Sequence, residues 1–340
     1  MKNVLVYCEV ENGKVASISQ ELLSAGKKLA GKLNVQLEAM VFGNNLNNIA
    51  KQIAPYGVDT IFVADDTRLE PYTTLPHAEL ATHIIKKHDP QIVLLGATAT
   101  GRDLAPRIAS AVGCGLTADT TILDIGDHEV KKENKVYKDL LYAIRPAFGG
   151  SIMANIINWE MHPQMATVRE GVMKNEIFDE NYQAKIEKID VDKLLNDRHF
   201  VVKIIKREME ESNVNLKDAP IIVAGGYGVG SKENFKQLYD LAEVLGGEVG
   251  GSRAAVDAGY IEHERQIGQT GVTVRPKLYI AAGISGAVQH TAGMQNSAMI
   301  ISINTDANAP INEIADYVIV GDLNDVIPKM IRLINKIPNN

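Results

Sequence analysis

The sequence predicts an α/β protein of two domains: a parallel-sheet domain with added antiparallel strands, then a second α/β domain. Three observations carry this. The 340-residue length exceeds that of an ordinary small domain. In the first half, short apolar runs alternate with segments of helical periodicity, which implies a parallel sheet covered on both faces. In the second half, most apolar runs end in a glycine-bearing or polar turn of one general kind.

Taken in order, Val4 to Cys8 reads as a strand, and Ser19 to Leu33 as a helix with Leu22, Leu23, Ala25, Leu29 and Ala30 on its apolar side. Val35 to Phe42 is strand-like, Asn48 to Tyr56 a short helix, Thr60 to Val63 a strand, and Leu80 to Lys87 part of a helix. Gln91 to Leu95 is a strand closed by Gly96. After it, Thr100 and Asp103 read as caps of the next helix, with Arg102 and Arg107 at a surface or subunit interface. Val130 to Tyr142 and Ser151 to Asn158 alternate polar with apolar residues, so antiparallel strands joined to the sheet are expected there. Between them, Arg145 to Gly150 reads as a turn that presents an arginine, and Met165 to Arg169 as one more strand. Charge then becomes dense, with Lys206-Arg207-Glu208, Glu210 and Glu211 reading as a solvated face. The expected division is a first domain over 1–190, a linker over 191–214 and a second domain over 215–335.

In the second half, Pro220 to Ala224 is a buried strand by type, and the turn Gly225 to Ser231 leads into a helix bearing Phe235, Leu238, Leu241, Ala242 and Leu245. Its glycines depart from the G-x-G-x-x-G order, because Ser231 stands at the last position. Gly250-Gly251-Ser252-Arg253 and Gln266-Ile267-Gly268-Gln269-Thr270-Gly271 follow. Leu278 to Ala282 then breaks at Gly283 and resumes as Ile284-Ser285-Gly286-Ala287-Val288-Gln289-His290, where a helix is expected to start. A strand, a small-residue turn and a helix start form a phosphate seat when the first turn's unpaired N–H groups face the anion. Met299 to Asp306 and Tyr317 to Asp322 complete the set. Ser252, Arg253, Gln269, Thr270, Ser285, Gln289, His290, Asn304 and Asp322 would converge beyond the strand ends, although Asp322 serves equally as a helix cap. That set lacks a nucleophile, a metal cluster and an acid–base pair, and so describes a cofactor cradle without catalytic residues.

Composition narrows the class. Apolar content of 45% and charged content of 23% suit a soluble globular chain, and a net charge of -7 argues against nucleic acid. No apolar run is long enough for a membrane span, and the start turns acidic too early for a signal peptide. Two cysteines are too few for a disulfide framework, so a reducing, cytoplasmic setting is expected.

The ordered motifs resemble the α subunit of electron transfer flavoproteins over nearly the whole chain. Leu278 to Met294 is similar to the family's signature, and Gly251-Ser252-Arg253-Ala254-Ala255-Val256-Asp257, Gly268-Gln269-Thr270-Gly271, Ser302-Ile303-Asn304 and Gly321-Asp322 lie at the family's intervals. Gly101 to Arg107, Arg145 to Gly150 and Met165 to Arg169 are similar to its first-half segments. The resemblance implies a heterodimer with a β subunit and an FAD held by a Rossmann-like second domain of this chain. Its cofactor-binding residues would be Gly226, Tyr227, Ser252, Arg253, Ile267, Gly268, Gln269, Thr270, Ser285, Gly286, Ala287, Val288, Gln289, His290, Asn304 and Asp322. Ser285 and Gly286 would take the pyrophosphate, Asn304 and Asp322 the adenosine, and Ser252, Arg253, Gln269, Thr270, Gln289 and His290 the redox ring. A reduced flavin carries negative charge near N1 and O2, which a nearby cation stabilises. Thr270 would hydrogen-bond N5. Tyr227 departs from the family, many members of which carry Arg there, so a charge contact is replaced by a hydroxyl or a ring face. The implied role is an electron carrier, rather than a self-sufficient enzyme, between an acyl-CoA dehydrogenase-type flavoenzyme and a redox partner. Val272 to Pro276 has a faint likeness to members that bifurcate electrons between NADH and ferredoxin using a second FAD in the β subunit, where others hold AMP. The rival readings are a stand-alone NAD- or FAD-dependent oxidoreductase and a nucleotide-binding regulatory module.

Overall fold

In a computed structural model, the described residues are 2–11, 13–131, 134–147, 152–206 and 215–336. The chain divides into two compact units, with the change falling just after residue 206.

In the first unit, β1 (Val4–Cys8) passes through the small hairpin β2 (Val10–Glu11) and β3 (Lys14–Val15) into α1 (Ser17–Leu33). There follow β4 (Leu37–Gly43), α2 (Ile49–Ile53), β5 (Thr60–Asp65), α3 (Thr74–His88), β6 (Ile92–Gly96), α4 (Ala99–Val112) and β7 (Leu116–Thr120). β8 (Ile122–Val130), β9 (Lys135–Ala147), β10 (Ile152–Ile156), β11 (Gln164–Val168), β12 (Lys185–Lys188) and α5 (Val191–Leu194) complete it. Its seven-stranded sheet runs β12-β5-β4-β1-β6-β11-β7, all parallel. β1 is wholly buried because alternate residues serve two cores. Val4, Val6 and Cys8 pack with Ile18, Leu22 and Leu29 of α1, whereas Leu5 and Tyr7 pack on the side of α3 and α4. Each fully buried Leu or Ile of this kind contributes about 1.5–3 kcal/mol.

The antiparallel strands do not extend that sheet. β10-β9-β8 form a separate sheet, and the run expected as one strand is divided between β8, which ends at Val130, and β9, which starts at Lys135. The reason is chain order: this excursion leaves after β7, and β11 returns to take the slot between β6 and β7. Arg145 lies in β9 rather than in a turn, and the remainder of that expected turn, 148–150, is outside the described residues. The helix after β6 is capped by Thr98, not by Thr100 or Asp103. Thr98 Oγ1 accepts from the Gly101 N–H at 2.9 Å, while Asp103 accepts from Tyr72 and Thr74. Thr98 also donates to Glu9 at 2.8 Å, and burial pushes that carboxyl up to about 7 despite this bond. Arg169, nearly buried, makes a two-pronged ion pair with Asp119 at 3.0 and 2.6 Å. Within the stretch expected to link the domains, Val191 and Leu195 are buried in the first unit's core. Residues 207–214, including Glu208, Glu210 and Glu211, lie outside the described residues.

In the second unit, β13 (Ile221–Gly225), α6 (Lys236–Leu245), β14 (Glu248–Gly251), α7 (Arg253–Asp257), β15 (Leu278–Ala282), α8 (Val288–Thr291), β16 (Ile300–Asn304), β17 (Tyr317–Val320) and α9 (Leu323–Ile334) follow one another. The five-stranded sheet runs β14-β13-β15-β16-β17, all parallel. One face, with Val223, Ile280 and Ala282, is covered by α6 and α9 through Leu238, Leu241, Leu323 and Ile327. The other face, with Ile222, Tyr279 and Ala281, is covered by Ile267, Val274, Ile284, Met294 and Ile311. Most of that cover is irregular chain, and it shapes the site.

Candidate functional site

Parallel strands deliver their turns to one edge of the sheet, where ligands of α/β proteins bind. Here the turns after β13, β14, β15 and β16 enclose a cleft of about 670 Å³, within the range of small-molecule sites. Its floor is backbone on backbone. The Gly228 N–H donates to the Gly283 carbonyl at 3.0 Å, and a Cβ on Gly226 would lie 2.1 Å from that same oxygen.

Eleven residues proposed from sequence line the cleft: Tyr227, Ser252 and Arg253 on one wall, Ile267, Gly268 and Thr270 on a loop, and Ser285, Ala287, Gln289, His290 and Asn304 opposite. Five others stand beside or away from it. Gly226 lies beneath the floor, and Gly286 supports the wall with φ +91, where an added Cβ would run into the Ile311 backbone. Gln269 ties its N–H to the Gln289 carbonyl at 2.7 Å, and Val288 opens α8. Asp322 accepts from the Asn324 N–H at 2.9 Å, so it is the cap of α9. Gly228, Ala254, Asp257, Gly283, Ile284, Asp306, Ala309 and Pro310 also line the cleft and were not named as binding residues from sequence. A signal existed for Gly228, which lies in the glycine-rich turn Gly225 to Ser231, and for Asp257, which stands four residues after Arg253 on one helix.

The expected helix start is a single turn, because α8 has four residues and carries no useful macrodipole. Another source of donors replaces it. Among the described residues, the backbone N–H groups of Ser285, Gly286, Ala287, Val288 and Gln289 donate to no backbone carbonyl. A run of such donors in a turn makes an anion-binding concavity.

Side-chain chemistry divides the lining into free and committed groups. Arg253 pairs with Asp257 at 3.4 Å, but both side chains are about two-thirds exposed, so the pair is weak and open to competition. Thr270 Oγ1 accepts from Gln266 Nε2 at 3.0 Å, leaving its hydroxyl hydrogen to donate elsewhere. Asn304 is committed: its amide donates to the Ile284 carbonyl and its oxygen accepts from the Asp306 N–H. His290 is committed too, as a satisfied buried histidine. Nδ1 meets the Ile267 carbonyl at 3.1 Å and Nε2 meets the Tyr279 hydroxyl at 3.0 Å. Burial holds it neutral, its pKa lowered to about 4 against the pull of the Ile267 carbonyl, so it adds no positive charge at neutral pH. Tyr227 stacks on Tyr260 with ring centres 5.8 Å apart, which uses one of its faces.

Comparison with known proteins bears directly on this arrangement. Residues 4–194 match the electron transfer flavoprotein domain, and residues 215–295 match the electron transfer flavoprotein FAD-binding domain. The chain belongs to the electron transfer flavoprotein α-subunit family. An electron transfer flavoprotein subunit alpha of Thermoanaerobacterium thermosaccharolyticum is 47% identical over 337 residues, covering 99% of this chain and 98% of its own. That of Clostridium acetobutylicum is 45% identical, covering 100% and 98%. Acryloyl-CoA reductase electron transfer subunit beta of Anaerotignum propionicum is 39% identical, covering 98% and 96%. The solved structure of UDP-GlcNAc 2-epimerase from Methanocaldococcus jannaschii covers the whole chain and 94% of its own, but at a TM-score of 0.35 and 11% identity. The family's cofactor is FAD, and its role is electron transfer. The cleft suits that cofactor: a glycine floor admits a close backbone approach, and the donors from Ser285 to Gln289 suit a diphosphate. Among the described residues, no helix is long and apolar enough to cross a membrane, and no three His, Cys, Asp or Glu side chains are grouped to hold a metal ion.

Proposed function

We propose that this chain is the FAD-holding subunit of a two-subunit carrier that takes electrons from an acyl-CoA dehydrogenase-type flavoenzyme and passes them to a second redox partner in the cytoplasm. The observation that carries the reading is the row of unpaired N–H donors from Ser285 to Gln289 along a glycine-floored cleft. Bound FAD supplies the redox chemistry, accepting and releasing electrons. The chain's residues bind and tune. Backbone N–H groups of Ser285, Gly286 and Ala287 hold the diphosphate. Ser252 Oγ caps α7 through the Ala255 N–H, which fixes where the neighbouring Arg253 begins that helix. Arg253 offers its guanidinium to negative charge on the ring, exchanging Asp257 for it. The Thr270 hydroxyl, already accepting from Gln266, donates to a ring nitrogen. Asn304, which shapes its wall through the Ile284 carbonyl, would face the adenosine end.

The sequence likeness to an acryloyl-CoA reductase electron transfer subunit supports a partner that handles acyl-CoA. A β subunit completes the carrier, and bifurcation from NADH to ferredoxin is the finer possibility, marked by a second FAD in that subunit. Co-production with the β subunit tests the reading. Expected are a yellow heterodimer, its reduction by an acyl-CoA dehydrogenase, and a flavin count of one with AMP or two. Arg253→Ala should lower the affinity for reduced flavin more than for oxidised. Sustained turnover of a substrate by this chain alone would refute the carrier role.

A further inference from the structure

We propose that Tyr279 is a positioning residue for the FAD cleft. From the interior of β15 it fixes the orientation and tautomer of His290, and through His290 the loop that carries Gln269 and Thr270. The inference rests on FAD occupying the cleft, as argued above.

Hydrogen-bond chemistry dictates the direction of each bond. The Ile267 carbonyl can only accept, so His290 Nδ1 carries the hydrogen, and the neutral ring leaves a lone pair at Nε2. The Tyr279 hydroxyl therefore donates to Nε2. Protonation at Nε2 would turn that contact round and leave the phenol hydrogen seeking an acceptor in a fully buried site. Tyr279 is 0% exposed, and His290 is its hydrogen-bond partner among the described residues. Burial of His290 acts in the same sense, towards the neutral ring.

The tie spans three elements. Tyr279 lies in β15, His290 in α8, and Ile267 in the loop that closes the cleft. Ile267 is further anchored by its N–H to the Gly251 carbonyl at 2.9 Å, and Gln269 by its N–H to the Gln289 carbonyl. The phenyl ring of Tyr279 fills the core beside Ala281 and Ile284, a task phenylalanine performs equally well. Among the described residues its hydroxyl is bonded to His290 alone, so Tyr279→Phe removes the tie while keeping the packing.

The experiment uses the heterodimer co-produced with its β subunit, with FAD as the probe. Wild-type 15N spectra should show His290 as one neutral tautomer protonated at Nδ1. In Tyr279→Phe those ring signals should move, and FAD should bind about tenfold more weakly. The ratio of affinities for reduced and oxidised flavin should change about tenfold, equivalent to ~30 mV for a two-electron couple. In a His290→Phe background, Tyr279→Phe should add nothing to the loss, because the two side chains act as one unit. Ring signals, affinity and potential all unchanged in Tyr279→Phe would overturn the proposal, and so would additive losses. A wild-type heterodimer whose His290 signals are indifferent to FAD would instead overturn the placement of the cofactor.

Discussion

Gly286 is the position at which a single methyl group tests the anion seat. Its φ is +91, and an added Cβ would lie 2.1 Å from the Ile311 nitrogen and 2.6 Å from its Cα. Alanine therefore meets two costs. A non-glycine residue at positive φ loses about 1–2 kcal/mol. Ile311 must also retreat, breaking its N–H bond to the Ser285 carbonyl, 3.1 Å in the native turn, for about 1 kcal/mol more. Gly246 separates the two costs, since its φ of +69 caps α6 with nothing within 4 Å of an added Cβ. Gly246→Ala should thus lose about 1–2 kcal/mol in urea denaturation and leave FAD binding intact. Gly286→Ala should lose about 2–3 kcal/mol and displace the Ser285 and Ala287 donors. Each 1.4 kcal/mol lost from the bound state is about tenfold in Kd, so flavin titration should show a loss of at least about tenfold. Equal destabilisation by the two substitutions, with an unchanged FAD Kd for Gly286→Ala, would refute both the clash and the seat.

Other outcomes follow from the first unit. Glu9 keeps its proton to about 7 when folded, against an ordinary 4.5, chiefly through burial and with Glu11 and Glu170 adding to it. A raised carboxyl favours the fold below the unfolded value and ceases to as pH rises, so the wild type should lose up to about 3 kcal/mol between pH 4.5 and 7 from this group. Glu9→Gln should flatten that slope in chemical denaturation, and an identical slope would remove Glu9 as its source. Arg169→Ala should cost about 2 kcal/mol by leaving Asp119 without its two-pronged partner, read as a shifted urea midpoint at constant m. Thr98→Ala should cost about 1 kcal/mol through the lost cap of α4, whereas Thr100→Ala, at the second residue of the helix, should be nearly neutral.

Where the sequence was legible, the reason is local. The apolar runs at Val4, Ile92, Ile221 and Leu278 mark strands because each is buried on both faces, and their terminal turns mark the ligand edge because a parallel sheet places them together. Periodicity did not reveal that the antiparallel strands form a sheet of their own, since alternation records a half-buried face and not the neighbour that covers it. Thr98 escaped notice as the cap because a two-residue shift in the helix start decides which hydroxyl meets a free N–H.

The same distinction applies inside the cleft. By itself the sequence determined the family, the cofactor and the turns that build the site, because motif order and small residues are properties of the chain. Only the tertiary structure decided which polar groups remain available there. His290 is taken up by Tyr279 and Ile267, Asn304 by Ile284 and Asp306, and Asp322 by its own helix. Thr270 keeps a hydrogen to donate, and the turn from Ser285 to Gln289 keeps its N–H groups. A hydrogen-bonding group acts on a ligand with the capacity its neighbours leave, and those neighbours are assembled by the fold.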